Sequence, residues 1–467
     1  MRKRRKKLPL YENAEITGIG AEGKAIARIN DLVVFVTNCV PGDIVDLQVK
    51  KKRKNYQEGC PVKYHKYSDI RTEAICELFG ICGGCKWQIL PYSEQLKYKQ
   101  QQVEDNFIRI GGIPDPPVLP IIPSAKTTFY RNKMEYTFSA NRWLTEDDMS
   151  DEIKDTNALG LHAPGKYDKV VDIKLCHLQE EPSNKIRNTI KEYAKQNNLQ
   201  FYNERKHEGF LRNLIIRITT TGEIMVIVIF GHYEKDKVEM LMDHISELFP
   251  EINSLLYFIN EKHNDSIHDL KPVNYKGKDH ITEQMGELIF RISPRSFFQT
   301  NSDQVHTLYK IVREYADLKG DETVYDIFTG TGTIANFLAP HAKKVVGLEI
   351  VREAVTDAVI NSEINGIKNT VFHCGDVKDM LNDNFFSTNG YPSLIILDPP
   401  RSGIHKDAVT KILNAGSGKI IYISCNPATQ ARDLQILSSG YSPVKIQPVD
   451  MFPHTHHIEN VTLLIKK

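Results

Sequence analysis

Cys425 ends an apolar run, IYISCNP at residues 421–427, and this is a position where a thiol can do chemistry. The run reads as a buried strand, and the stretch TQARDLQIL that follows reads as a helix. A free thiol has a pKa of about 8.5, so a nucleophilic role requires nearby positive charge or the N-terminus of that helix to favour the thiolate. The alternative is a buried cysteine that only packs.

A glycine-rich loop supplies the second chemical feature. In DIFTGTGTIANFLA, Gly330 and Gly332 lie between a predicted strand and a predicted helix, where glycine lets the backbone turn tightly and approach a ligand. Glu349 ends the next predicted strand, 17 residues after Gly332, where its carboxylate can accept hydrogen bonds from both hydroxyls of a ribose. Proteins use this arrangement of a glycine loop and an acidic residue to bind either nicotinamide dinucleotides or S-adenosylmethionine. The spacing D-x-F-x-G-x-G lacks the third glycine of the dinucleotide fingerprint and resembles motif I of the S-adenosylmethionine-dependent methyltransferases.

Two aspartates follow the next strands in the order that this class of enzyme uses. Asp376, in HCGDV, ends the third predicted strand, and Asp398, in LDPPRSG, ends the fourth. In the class that this order resembles, these positions contact the adenine and the reacting group, respectively. An ordinary nucleotide-binding α/β domain is the alternative. Methyltransferases that act on amino groups often carry an aromatic residue where this chain has Arg401, so an amine target is disfavoured.

The thiol instead suits methylation of carbon 5 of a pyrimidine, which is a poor nucleophile. A thiolate that adds to carbon 6 gives carbon 5 enolate character, and carbon 5 then attacks a methyl donor. The reaction also needs a base for the carbon-5 proton and a donor for the developing oxyanion. Glu459 is the candidate base, because it is the one carboxylate after Asp450 and lies where a loop enters the last predicted strand. A surface glutamate is the alternative, and the crowded His454, His456 and His457 do not suit one metal centre.

Taken together, these stretches resemble the RNA uracil-5-methyltransferase family over essentially the whole chain. FFQTN, DIFTGTGTI, LDPPRSG, SCNP and FPHTHHIENV stand in that family's order. The resemblance implies that Cys425 is the nucleophile and Glu459 the base. It also implies that six residues line the cofactor and base sites, namely Gln299, Phe328, Thr333, Glu349, Asp376 and Asp398. Thr329 and Thr333 depart from the Cys and Asn of some members.

A cysteine cluster precedes the catalytic motifs. Cys76, Cys82 and Cys85 form C-x5-C-x2-C, and Cys176 is the candidate fourth ligand about ninety residues later. Structural zinc and a cubane cluster both take four ligands, so the spacing leaves them open, along with three unrelated thiols. The family resemblance favours a [4Fe–4S] cluster with a structural or RNA-positioning role. Cys39, Cys60 and Cys374 have no assigned role.

The elements that must position these groups fall into three predicted parts. Residues 1–68 read as short strands of a small OB-like barrel of about five strands, which resembles an RNA-binding TRAM domain. GIGAEG in this barrel matches a dinucleotide fingerprint, but strands surround it, so we predict a hairpin. Residues 69–290 mix strands and helices, carry the cysteines and include a helix near 91–112. Residues 291–467 alternate strand and helix, as in a doubly wound, Rossmann-like sheet.

Composition indicates a globular protein with a basic N-terminus. The chain has 467 residues and a net charge of +1, yet residues 1–54 carry 13 Lys/Arg against 6 Asp/Glu. That balance predicts either a phosphate contact or a solvated tail. No apolar run approaches the roughly 20 residues of a membrane span. We therefore expect a cytoplasmic monomer without membrane contact.

The expected activity is S-adenosylmethionine-dependent C5-methylation of a uridine in 23S rRNA. The T-loop uridine of tRNA is the alternative substrate, and a non-catalytic RNA-binding protein is the alternative of another class. We expect the target base to flip out of an RNA loop. Barrel Lys/Arg and Arg131 and Lys133, in FYRNKMEY, are predicted phosphate contacts, with a surface hairpin as the alternative for that stretch. The particular uridine is not predicted.

Overall fold

The computed structural model describes residues 8–145, 148 and 155–467. The most basic part of the N-terminus, residues 1–7, lies outside this range. None of the helices in the described part of the chain has the length and apolar character needed to cross a bilayer.

A closed five-stranded barrel forms the N-terminal part, as the sequence predicted. Its strands pair in the order β1-β2-β3-β5-β4. Alternate alanine, valine and leucine side chains point inward and form a small core. The GIGAEG stretch is the turn between two antiparallel strands, with Ile19 opposite Ala25, so the predicted hairpin is confirmed. The strands are β1 (Leu10–Ile19), β2 (Ala25–Ile29), β3 (Leu32–Val36), β4 (Ile44–Lys52) and β5 (Tyr56–Lys66).

The middle part contains a seven-stranded sheet with the order β12-β11-β10-β9-β6-β7-β8. Its central strands are buried on both faces, because helices cover one face and the C-terminal part covers the other, which explains their continuous apolar runs. The stretch FYRNKMEY leads into β6, an inner strand, so its surface-hairpin interpretation is wrong. The elements are β6 (Lys133–Ser139), β7 (Ala158–His162), β8 (Val170–Asp172), β9 (Leu211–Ile218), β10 (Ile224–Phe230), β11 (Ile252–Ile259), β12 (Val273–Gly277), α2 (Ser183–Gln196) and α3 (Lys235–Leu248).

A second seven-stranded sheet occupies the C-terminal part, after a hairpin of β13 (Ile281–Met285) and β14 (Leu288–Ile292). Its order is β17-β16-β15-β18-β19-β21-β20, and the first five strands in this order are parallel. The chain order reverses between β15 and β18, and ligands bind at such switch points. The predicted Rossmann-like sheet is thus confirmed. The strands are β15 (Thr323–Ile327), β16 (Lys344–Glu349), β17 (Thr370–Cys374), β18 (Leu394–Leu397), β19 (Lys419–Ser424), β20 (Tyr441–Val449) and β21 (Glu459–Lys466).

Helices flank this sheet on both sides. Val103 and Phe107 of the early helix α1 (Tyr92–Arg109) join the sheet's own core, although they precede it by more than two hundred residues. The other helices are α4 (Ser302–Ala316), α5 (Thr333–Leu338), α6 (Arg352–Ile364), α7 (Val377–Met380), α8 (Asp383–Asn389), α9 (Lys406–Ala415) and α10 (Pro427–Leu437).

A buried ion pair fastens α1 to the start of the loop between β20 and β21. Lys99 Nζ lies 2.6 Å from Asp450 Oδ1, and both side chains are fully buried. The same amine donates to the Phe452 carbonyl at 3.0 Å, and Tyr92 donates to Asp450 at 2.9 Å. This network joins residues that are 351 positions apart, because a buried charge must find a partner.

Replacing Lys99 with methionine should lower stability strongly. Removing one partner leaves the Asp450 carboxylate buried and uncompensated, which costs about 3–5 kcal/mol. The urea midpoint of unfolding measures the loss. Lys97→Met, which removes an exposed amine from the same helix, is the matched control and should leave the midpoint unchanged. Equal midpoints for both variants would contradict a buried ion pair.

Candidate active site

The loop after β15 is shaped by a buried carboxylate. Asp326 Oδ2 accepts hydrogen bonds from the Thr329 hydroxyl at 2.6 Å and from the Ala335 N–H at 3.0 Å, which closes the loop onto α5. Burial raises the pKa of Asp326 to about 7. Gly332 has φ +74°, and a Cβ there would lie 2.9 Å from the Ala358 side chain, so glycine is required. Phe328 also has positive φ, at 68°.

Glu349 holds this loop from the neighbouring strand. Its carboxylate accepts from the Gly330 N–H at 3.1 Å and from the Val351 N–H at 2.9 Å. Gly330, Thr331 and Glu349 line a cavity of about 390 Å³ at the carboxyl edge of the sheet, opposite the segment 293–297. The half-buried carboxylate, the turned backbone and the position at the switch point fit a nucleoside-type ligand such as S-adenosylmethionine.

Other predicted cofactor residues lie around this loop without lining that cavity. Thr333 begins α5, and its hydroxyl lies 2.8 Å from the Tyr309 hydroxyl. Asp376 caps α7 and lies 3.2 Å from the Lys378 amine. Gln299 is buried, and its backbone carbonyl accepts from the Asn132 amide at 2.9 Å. These three residues therefore lie around the glycine loop, and each makes its contacts with different neighbours.

Cys425 and Glu459 come together because their strands pair. β19 and β21 are antiparallel, with Ser424 opposite Asn460, so the thiol and the carboxyl lie at the same end of the pair. Glu459 is 3% exposed, and burial together with the Asp398 charge raises its pKa well above the usual range. Asp398 follows β18 at the same edge, and burial, followed by the Asp326 charge, raises its pKa to about 7. Three ionisable groups thus share one water-poor site.

The thiol of Cys425 is held in its protonated form in the absence of substrate. Burial raises its pKa to about 11, the nearby Glu459 adds to this shift, and the positive charge of Arg401 opposes it. The N-terminus of α10 was expected to stabilise the thiolate. Part of this effect is lost, because Asn426 caps α10 and accepts a hydrogen bond from the Ala428 N–H at 3.2 Å. Arg401 is therefore the cation that favours the thiolate. Asn426 Nδ2 donates to the Arg401 carbonyl at 3.1 Å and so joins the two loops.

A cleft of about 920 Å³ opens from Cys425 toward the barrel. Arg401, Cys425 and Asn426 line one end, α1 lines a side, and residues of β1, β2 and β3 face them. Its volume exceeds that of the nucleoside-type cavity, so it can hold part of a polymer. His456 and His457 also line it, and burial lowers their pKa values to about 3 and about 4, so both are neutral.

The predicted cysteine cluster gathers around a separate small cavity. Cys76, Cys82, Cys85 and Cys176 all line it, with leucine, isoleucine and phenylalanine side chains between them. Burial raises the pKa of Cys82 to about 11 and of Cys85 to about 12. Within the described ranges, no three His, Cys, Asp or Glu side chains form a group that could hold a metal ion. The donor set and the shared apolar cavity nevertheless fit a multi-atom cluster ligated by four thiolates.

Two residues of the site, Asp326 and Arg401, were not predicted as site residues from the sequence. Asp326 stands in DIFTGTG and Arg401 in DPPRSG. A carboxylate three residues before a threonine at a glycine loop, and a cation facing a candidate thiolate, are signals that the motifs already contained. Of the predicted phosphate contacts, Lys133 has a lowered pKa because it is largely buried and lies near Arg217, and its amine lies 3.3 Å from Glu135.

Replacing Arg401 with glutamine should slow attack by the thiol. The cation lowers the pKa of Cys425, so its loss raises that pKa and reduces the thiolate fraction. Between pH 7.5 and 9 both thiols lie below their pKa, so we expect adduct formation to be about tenfold slower than in wild type throughout this range, with both rates rising with pH. Lys406→Gln, which removes a nearby exposed cation, is the control. Adduct formation at the wild-type rate, or a variant rate that does not rise with pH, would contradict this role.

The sheet order, the glycine loop at the switch point and the thiol–carboxyl pair at the strand ends define a class I S-adenosylmethionine-dependent methyltransferase. The model of the tRNA (Uracil-5-)-methyltransferase family matches residues 219–467, and that of the TRAM domain matches residues 11–62. The chain belongs to this family and is an RNA uracil-5-methyltransferase with an N-terminal TRAM barrel. The expectation of an enzyme that uses S-adenosylmethionine and acts on RNA is thereby confirmed.

Relatives resemble the chain over nearly its full length. An RNA methyltransferase of Bacteroides thetaiotaomicron, described as uncharacterized, is 55% identical over 96% of this chain and 99% of its own. A second, from Porphyromonas gingivalis, is 48% identical over 97% of this chain and 99% of its own. The crystal structure of Pyrococcus abyssi tRNA (uracil-54, C5)-methyltransferase with S-adenosyl-L-homocysteine has a TM-score of 0.74, with 27% identity over 97% of this chain and 100% of its own.

Proposed function

We propose that this enzyme methylates carbon 5 of a uridine in 23S rRNA, with Cys425 as the nucleophile and Glu459 as the base. The observation that carries the proposal is the pairing of β19 with β21, which places a thiol and a buried carboxyl at one strand end. Asp398 and Arg401 act on the same thiol, and the cleft leads from it to the barrel.

The reaction divides into steps that these residues can perform. The Cys425 thiolate adds to carbon 6 of the uracil, and the electron pair of the C5–C6 bond moves toward the carbon-4 oxygen. Asp398, with a pKa near 7, can carry the proton that stabilises this oxyanion. S-adenosylmethionine supplies the methyl group. Glu459 removes the carbon-5 proton, the C5–C6 double bond re-forms, and the C6–S bond breaks to return the thiolate.

The methyl donor is proposed to lie in the cavity beside Glu349. The turned loop brings backbone N–H groups to the ligand, and Glu349 can accept from ribose hydroxyls through its remaining lone pairs. Gly330, Gly332, Phe328 and Thr333 shape the loop. Gln299, Asp376 and Asp398 are proposed as further contacts at the ends of the cofactor and base sites.

The four cysteines are proposed to ligate a [4Fe–4S] cluster. A single zinc ion holds each sulfur at about 2.3 Å, and no metal-ion group of that kind occurs in the part of the chain that is described. A cluster separates its ligands more widely and suits thiols that surround a common cavity. Iron and acid-labile sulfide in anaerobically prepared protein test this, and Cys176→Ser should lose both. Zinc in their place would contradict it.

The choice of RNA rests on the modules around the catalytic domain. We propose three units, residues 1–68, 69–290 and 291–467, of which the first two resemble the ribosomal members in combining a barrel with a cluster. The second candidate substrate is the T-loop uridine of tRNA. It is favoured by the Pyrococcus abyssi relative, a tRNA enzyme that aligns over 97% of this chain.

Mapping 5-methyluridine in both RNA classes separates the two substrates. Ribosomal and transfer RNA are isolated from cells with and without the gene and analysed by mass spectrometry. Loss confined to 23S rRNA is expected. Loss confined to tRNA would overturn the rRNA assignment and establish the second candidate.

A further inference from the structure

The loop that carries Glu459 is held in place by residues from far earlier in the chain. Its residue His454 has φ +64°, and its backbone takes part in three hydrogen bonds. The N–H donates to Gln95 Oε1 at 2.8 Å, and the carbonyl accepts from the N–H groups of Lys86 and Trp87 at 2.8 and 3.0 Å. The main chain before Glu459 is thus fixed by α1 and by the segment 86–87.

Trp87 connects that loop to the barrel. Its side chain is 4% exposed, and its indole N–H donates to the Gly23 carbonyl at 2.9 Å, in the turn between β1 and β2. Lys86 Nζ donates to the neighbouring Glu22 carbonyl at 3.1 Å. This is the GIGAEG turn between β1 and β2, and its Gly23 allows a close approach of the neighbouring side chains.

Gly23 lies where the barrel turn, the Trp87 indole and the loop that carries Glu459 meet. Its φ is +71°, and a Cβ there would lie 2.7 Å from the His456 Cβ and 3.0 Å from the Trp87 indole nitrogen. The barrel turn, the indole and the Glu459 loop therefore touch one another with no room for a methyl group. Displacing any one of them must move the others.

The same segment is anchored to the cysteine cavity at its other side. Trp87 follows Cys85 by two residues, and the buried Gln88 accepts from the Cys76 N–H at 3.0 Å. Trp87 is consequently a rigid bridge between the cysteine cavity, the barrel turn and the base-carrying loop.

We propose that Trp87 is a positioning residue that sets the place of Glu459 for removal of the carbon-5 proton. This inference rests on the proposed role of Glu459 as the base. Trp87 lies outside the residues that line the Cys425 cleft, so its loss should slow proton removal and leave addition of the thiol to carbon 6 intact. The methylated uracil then stays bonded to sulfur until the proton leaves.

The test compares two reactions of the full-length Trp87→Ala enzyme. With ordinary uridine RNA we expect kcat to fall about 10- to 100-fold, as for a misplaced catalytic group, and KM for RNA to change by a smaller factor, because His456 and the barrel turn that can shift with the indole line only part of the cleft. A covalent, methylated RNA–protein adduct should accumulate on denaturing gels. With 5-fluorouridine RNA, whose carbon-5 fluorine no base can remove, the rate of adduct formation should stay within about twofold of wild type. Trp143→Ala, which removes the same kind of side chain from the segment beside β8, should match wild type in both reactions.

Several outcomes would overturn the proposal. One is a parallel fall in both reactions, and another is a raised KM without adduct accumulation. If Trp87→Ala does not fold, Gly23→Ala serves instead, because it pushes on His456 while keeping the indole, and it should show the same adduct accumulation. If the wild-type enzyme forms no adduct with 5-fluorouridine RNA, the proposed role of Cys425 as nucleophile is refuted. If the wild-type enzyme forms the adduct and the variants behave like wild type, only the role of Trp87 is refuted.

Discussion

Cys425→Ala is expected to abolish methylation, with turnover reduced about 10⁴- to 10⁶-fold, as when an enzyme loses its nucleophile. Without sulfur at carbon 6, carbon 5 of the uracil keeps its low nucleophilicity, and correct placement of the methyl donor cannot compensate. Among the described residues that line the cleft, Cys425 is the one thiol, so no neighbour can replace it. Two measurements check this: the 5-methyluridine formed in RNA, and the covalent adduct with 5-fluorouridine RNA.

The control for this variant is Cys60→Ala. Cys60 lies on β5 of the barrel, away from the cleft residues, and its replacement should leave both measurements at wild-type level. Unchanged binding of RNA and of S-adenosylmethionine by Cys425→Ala would show that only chemistry is lost. A Cys425→Ala enzyme that still turned over at a tenth of the wild-type rate would refute the covalent mechanism.

Glu459→Gln should separate the two halves of the reaction. Thiol addition and methyl transfer can proceed, but the carbon-5 proton has no base, so turnover falls about 10²- to 10⁴-fold and the methylated adduct persists. The variant also changes the pH dependence. Because the Glu459 charge raises the pKa of Cys425, removing it lowers that pKa, and adduct formation should begin at lower pH than in wild type.

Stability provides the internal control for Glu459→Gln. The pKa of Glu459 is raised in the folded protein, so the protonated carboxyl favours folding and this contribution is lost as the pH rises through the raised pKa. A neutral glutamine avoids that loss, and the unfolding midpoint at pH 8 should equal or exceed that of wild type. Glu251→Gln, an exposed change, should affect neither activity nor midpoint. Loss of the adduct together with turnover would contradict the assignment of Glu459 as base.

The strand-end motifs could be found from the sequence because they are local. Gly330, Gly332 and Glu349 lie next to strands whose apolar runs are unambiguous, and Cys425 ends another such run. The parallel order then follows from alternation of strand and helix, and it brings these ends to one edge. The order of the motifs along the chain was sufficient to indicate the family.

The pKa values of the site residues could not be predicted from the sequence motifs. The helix after Cys425 was expected to favour its thiolate, yet burial raises the thiol pKa to about 11 and leaves Arg401 as the opposing cation. Desolvation depends on what covers a group, and periodicity along one strand does not report it. The raised pKa values of Asp398 and Glu459 have the same origin.

By itself, the sequence of this protein determined the class of fold, the glycine loop and the identity of the thiol and carboxyl candidates. Only the tertiary structure decided how Glu459 is held, through Lys99 with Asp450 and through Trp87 with Gly23 and His454. These partners are separated by 64 to several hundred positions. Local patterns record which face of an element is apolar, whereas long-range contacts depend on which faces meet after the barrel, the middle sheet and the catalytic sheet have packed together.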